Sequence, residues 1–149
     1  MAVSTARRVM TGVGVFYLLI GVLGFIPGIT VQTDVAGTGI TVPGEGLLLG
    51  IFAVNAVHNV AHLLVGALAV WAGMSDRNLR SISTVLAVIF AVLVVGSFVA
   101  PIVEGVALNA PDTILHLVSA LITGYIAFAT DYRTVGGDAD RTDTARTTV

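Results

Sequence analysis

The chain has 149 residues, 56% of them hydrophobic and 11% charged, with a formal net charge of −2 and a mean hydropathy of +0.97. A soluble domain carries about 25% charged residues, so a water-exposed fold is excluded and the lipid bilayer is the expected solvent and partner. No basic patch is present to hold nucleic acid, no cysteine is present for disulfide or thiolate chemistry, and the absence of lysine removes Schiff-base and Walker-lysine mechanisms.

Residues 1–8 form a short N-terminus that ends in Arg7-Arg8. The first apolar run, residues 9–26, follows directly. Its length of 18 residues exceeds the apolar core of a typical secretory signal, and no small-x-small cleavage site follows it, so it reads as a retained membrane helix. Gly14, Gly21 and Gly28 recur along it at seven-residue spacing with Gly24 beside them, a pattern that suits close helix approach. Residues 27–46 read as a Gly/Thr-rich outer loop, long for a compact bundle. Glu45 within it reads as a solvated headgroup charge.

The second run, residues 47–72, opens with Gly46-x-x-x-Gly50, a further packing motif, and carries Trp71 as an interfacial anchor near its end. The third spans 82–103, after Arg77 and Arg80, with Glu104 placed in the outer headgroups. The fourth spans 112–130, and Asn109 with Asp112 three residues later reads as an N-cap with an acidic first turn. Each run meets the ~20-residue span of a bilayer, and none alternates as a strand would. The tail, 131–149, is Asp/Thr/Arg-rich and reads as disordered. All seven arginines flank the same side of the four runs, which places both termini in the cytoplasm. The expected fold is an all-α integral membrane four-helix bundle over residues 9–130.

Two stretches inside this apolar sequence share one polar pattern. Asn55, His58 and His62 on the second run superpose on Asn109, Asp112 and His116 on the fourth with an offset of 54 residues. Positions i, i+3 and i+7 fall within roughly 60° on a helix, so each set is one polar stripe. The offset also suggests two helix-pair repeats about an axis along the membrane normal. Polar side chains within a membrane are costly and usually face the bundle interior. If the stripes face each other, three imidazoles and a carboxylate share a small volume in the outer half.

Several roles fit that cluster. The first is a hydrogen-bonded network of Asn55, His58, Asn59, His62, Asn109, Asp112 and His116 that fixes packing or docks a partner. A homo-oligomer or a larger membrane complex would be such a partner. The second is a metal site: His58 and His62 at i and i+4 bind one ion from one helix face, and His116 and Asp112 complete a set for zinc, iron, copper or manganese. The third is haem, for which His62 with His116 would supply opposite axial ligands. A proton or ion pathway is less supported, because Tyr17, Thr11, Ser83, Thr84, Thr123 and Tyr125 are the polar side chains assigned to the inner half and none is charged. No nucleophile elbow and no phosphate loop after a strand is present, so an enzymatic reading finds no motif.

The segment from Leu49 to Gly66, with its Val-Asn-x-x-His-Asn-x-x-His string, resembles the core of the family known as domain of unknown function 4383 (DUF4383). The Asn109-x-x-Asp112-x-x-x-His116 start of the fourth run and Phe25-Ile-Pro-Gly28 resemble it too, so the likeness covers about residues 5–130. The resemblance implies a small four-helix protein of the bacterial inner membrane. It implies no activity.

Overall fold

The computed structural model describes residues 1–34, 45–98 and 106–132. Glu104, Arg133, Arg141, Arg146 and nearly all of the expected tail lie outside the described residues. Among the described residues four helices dominate. They are α1 (Val3–Leu23), α2 (Ala56–Gly73), α3 (Asp76–Phe98) and α4 (Ala110–Ala129), and each is long and apolar enough to cross a membrane. Their outward faces are apolar along the full length, with Leu19 on α1, Leu64 on α2, Val92 on α3 and Phe128 on α4 all exposed. In water such faces would drive aggregation, whereas lipid solvates them at no cost. The protein is a multi-pass membrane bundle.

α1 packs along α2 and α3 along α4, giving two antiparallel pairs. Small residues make the first pair tight. A side chain at Gly14 would lie 2.5 Å from the Val70 nitrogen, and one at Gly66 would lie 2.7 Å from the Leu18 nitrogen and 2.8 Å from the Gly14 oxygen. Each glycine therefore admits the backbone of the facing helix, as close membrane packing requires. The expected glycine stripe is shorter than seven-residue spacing predicts. Gly28 lies past the end of α1 at φ 90°, with open space where a Cβ would point. Gly14, Gly21 and Gly24 are the positions that face α2.

The second apolar run divides differently from its expected span of residues 47–72. Its first third is β-structure: β2 (Gly46–Leu48) and β3 (Phe52–Val54) join β1 (Thr30–Gln32), from the expected 27–46 loop, in an antiparallel sheet of order β1-β2-β3. Thr30 pairs with Leu48, and Leu48 pairs in turn with Phe52. Gly46 and Gly50 are strand and turn residues, at φ 151° and φ 72°, rather than a helix-packing motif. Leu49 beside Gly50 also has a positive φ of 54°, so the β2–β3 turn needs left-handed backbone at two successive positions. α2 then starts at Ala56 because Asn55 caps it: the Asn55 side chain accepts the His58 backbone N–H at 2.8 Å. The other helices begin earlier than their apolar runs, since membrane helices extend their polar first turns into the headgroup region. Glu45, expected in solvent, is buried at 3% exposure beside β2.

The arginine end of the bundle is joined by polar contacts. The Arg7 side chain donates to the carbonyls of Gly73 (2.9 Å) and Met74 (3.2 Å) in the α2–α3 turn and pairs with Asp76 at 3.3 Å. The Arg80 guanidinium lies 5.7 Å from the Tyr132 ring centre. Arg7, Arg8, Arg77 and Arg80 thus share one end with the N-terminus and the end of α4, and the sheet closes the opposite end.

Candidate metal centre

α4 begins with a capping box, built by the sequence Asn109-Ala-Pro-Asp112. Asn109 Oδ1 accepts the Asp112 N–H at 3.1 Å, and Asp112 Oδ2 accepts the Asn109 N–H at 3.0 Å. The N-cap expected at Asn109 is present, and the matching residue Asn55 turns out to have the same role on α2. The shared Asn pattern of the two stripes is therefore a pair of helix starts. Both caps also reach the sheet. Asp112 Oδ2 accepts the Ala53 N–H at 3.1 Å, and the Asn109 amide donates to the Ile51 carbonyl at 2.7 Å. These contacts hold β3 and its turn against the start of α4.

Below the caps, the three histidines come together. The ring centres of His58 and His62 are 4.2 Å apart, those of His58 and His116 are 5.9 Å apart, and those of His62 and His116 are 6.4 Å apart. One nitrogen from each ring lies within 4.8 Å of the others. The three residues are 2%, 4% and 1% exposed, respectively. The two stripes do face each other at this level.

Four imidazole nitrogens have no hydrogen-bond partner among the described residues: His58 Nε2, both nitrogens of His62, and His116 Nδ1. An unsatisfied buried polar atom costs about 1–3 kcal/mol, so these rings retain hydrogen-bonding or ligating capacity. Of the two other ring nitrogens, His58 Nδ1 lies 3.1 Å from the Ala53 carbonyl oxygen. That contact makes Nδ1 the protonated nitrogen and leaves the Nε2 lone pair available as a donor.

The walls come from the other two helices. The Tyr17 ring of α1 meets His62 edge-on with ring centres 5.2 Å apart, and the Phe90 ring of α3 stacks on His116 at 5.8 Å. The Tyr17 hydroxyl lies 2.8 Å from Ser119 Oγ, one turn below His116. Tyr17, expected away from the polar stripes, belongs to the cluster because it lies near the C-terminal end of α1, at the sheet end of the bundle, against His62. Sequence reasoning also missed Phe90 and Ser119. Ser119 stands three residues after His116 on the same face, a readable signal, but an apolar ring such as Phe90 carries none.

The remaining polar residues have other partners. Asp112 is 1% exposed, yet it is not one of the three residues whose ligand atoms converge. Its Oδ2 is committed to two backbone N–H groups, and its Oδ1 is buried without a partner. Asn59 points toward α1, where a side chain at Gly24 would collide with its amide.

The converging set is thus three neutral nitrogens. Tetrahedral zinc–imidazole bonds of 2.0–2.1 Å require nitrogens about 3.3 Å apart. The three nitrogens lie within 4.8 Å of one another, so an ion would need to draw the rings closer together. Haem fits poorly: His58 sits 4.2 Å from His62 and 5.9 Å from His116, in the space a porphyrin between those two rings would need.

A multi-pass membrane bundle with imidazoles gathered between its second and fourth helices is the class that fold and site define. Residues 7–129 match the family model described as Domain of unknown function (DUF4383), and the chain belongs to that family. Comparison with curated proteins and with solved structures gives no match.

Proposed function

We propose that this protein binds a transition-metal ion within the membrane, through His58, His62 and His116. The observation that carries the reading is the convergence of three buried imidazoles, each with at least one nitrogen that has no hydrogen-bond partner among the described residues. All-nitrogen coordination suits zinc, copper or iron better than the hard cations that prefer carboxylates. Three protein ligands leave a fourth tetrahedral position for water or an exchangeable ligand, the arrangement of reactive or exchanging sites rather than closed structural ones. Asn55, Asn109 and Asp112 then serve the fold by holding the two helix starts and β3 around the site.

The arginine distribution supports an orientation with both termini in the cytoplasm and the sheet outside, in the inner membrane of a bacterium. The histidines then lie in the outer half of the bilayer, one to two helical turns below the sheet.

Cobalt(II), a spectroscopic stand-in for zinc, tests the reading. Chelator-stripped protein in detergent should take up one equivalent and develop the visible bands of a four-coordinate nitrogen site. His62→Ala should abolish those bands while keeping the helical circular dichroism. Cobalt uptake that is equal in wild type and in His62→Ala would refute the site.

A further inference from the structure

At the end of the bundle opposite the histidines, a groove of about 460 Å³ is lined by Ser4, Arg7, Arg8, Thr11 and Gly73. The first four stand on one face of α1 at i, i+3, i+4 and i+7, so two guanidinium groups and two hydroxyls share a single stripe. Arg7 is fixed by the Gly73 and Met74 carbonyls and by Asp76. Arg8 is exposed and makes no hydrogen bond or ion pair among the described residues. Gly73 is buried against Thr11 and the Arg7 carbonyl, which lies 2.9 Å from where its Cβ would be, so no side chain of α2 fills the groove. Arg77, Arg80 and the N-terminal ammonium share this end with only Asp76 and Asp131 as described acids, and the local field is positive.

We infer that this groove binds a phosphate ester anion, with Arg8 as the charged contact and Ser4 and Thr11 as hydroxyl donors. Guanidinium and hydroxyl donors match phosphate oxygens, which accept several hydrogen bonds at once. The level of the groove, at the polar end of a spanning helix, is where bilayer phosphates lie, and the exposed Arg8 precedes the apolar length of α1 as a headgroup contact would. The site is independent of the metal centre.

Native mass spectrometry of the delipidated full chain, titrated with phosphatidylglycerol or phosphatidylcholine, tests it. Wild type should retain one phosphatidylglycerol in preference to phosphatidylcholine. Arg8→Gln should weaken that binding about fivefold, whereas Arg77→Gln, the same charge change outside the groove, should weaken it clearly less. Ser4→Ala/Thr11→Ala should weaken it with no change in charge. Displacement of the lipid by millimolar inorganic phosphate would mark the site as one for the free anion as well. Retention against phosphate would identify the lipid as the source. Equal losses in Arg8→Gln and Arg77→Gln, or no preference for the anionic lipid, would overturn the site.

Discussion

His58 Nδ1 lies 3.1 Å from the carbonyl oxygen of Ala53, two residues ahead of the cap that starts α2. The N–H of the same alanine donates to Asp112 Oδ2 at 3.1 Å. One strand residue therefore links an imidazole of α2 to the capping carboxylate of α4. The ring is oriented by backbone rather than by a side chain, so its donor nitrogen is set as soon as β3 docks.

Asp112→Ala should act on both stability and metal affinity. It removes the acceptor of two backbone N–H groups, a loss of about 1–3 kcal/mol in thermal or denaturant unfolding. Loosening β3 should also weaken metal binding by about 10–100-fold, the usual effect of losing an orienting partner. Competition against a chromophoric chelator measures the second effect. A folded Asp112→Ala with unchanged affinity would sever Asp112 from the site.

Glycine substitutions should separate packing from propensity. Gly66→Ala puts a methyl 2.7 Å from the Leu18 nitrogen and 2.8 Å from the Gly14 oxygen, both backbone atoms, so α1 must move away from α2. The expected outcome is a loss of about 1–3 kcal/mol. Gly12→Ala meets nothing within 4 Å and should be neutral or stabilising by up to ~1 kcal/mol. Thermal unfolding in one detergent compares the two.

Tyr17→Phe should lower stability by about 0.5–1.5 kcal/mol by removing the 2.8 Å contact with Ser119. Metal content should stay at the wild-type level, because the ring that abuts His62 is retained. Loss of metal in this variant would instead make the hydroxyl part of the coordination.

The natural absence of cysteine permits a direct test of orientation. Single cysteines at Leu49, on the β2–β3 turn, and at Met74, on the α2–α3 turn, are both exposed sites. In intact cells a membrane-impermeant maleimide should label Leu49→Cys and spare Met74→Cys until the cells are opened. The reverse pattern would invert the topology.

Much of this architecture was legible because lipid enforces simple rules. Four long apolar runs, arginines on one side and histidines at i and i+4 leave few alternatives. The sheet was hidden for a physical reason: Leu47–Val54 is as apolar as the helix that follows, so hydropathy merges them. Only Gly46, Gly50 and the cap at Asn55 mark the boundary, and two of those three also fit a helix-packing motif. The stripes offered His58, His62 and His116 as candidates for one cluster, but that the stripes face each other is set by how α2 and α4 pack. The separation of Asp112 from them was not legible, because its Oδ2 is claimed by Ala53, a backbone group that no side-chain pattern announces. Tyr17 and Phe90 became neighbours of the site through the pairing of helices, which is set by surfaces rather than by motifs.

The central claim is most directly tested by the metal content of the protein purified in detergent without chelator, measured by inductively coupled plasma mass spectrometry beside His58→Ala, His62→Ala and His116→Ala. Near-stoichiometric zinc, copper or iron in wild type, lost in each of the three variants while their helical content is preserved, is the predicted result. Wild type that stays free of these metals after reloading, or variants that retain them, would contradict a three-histidine metal centre.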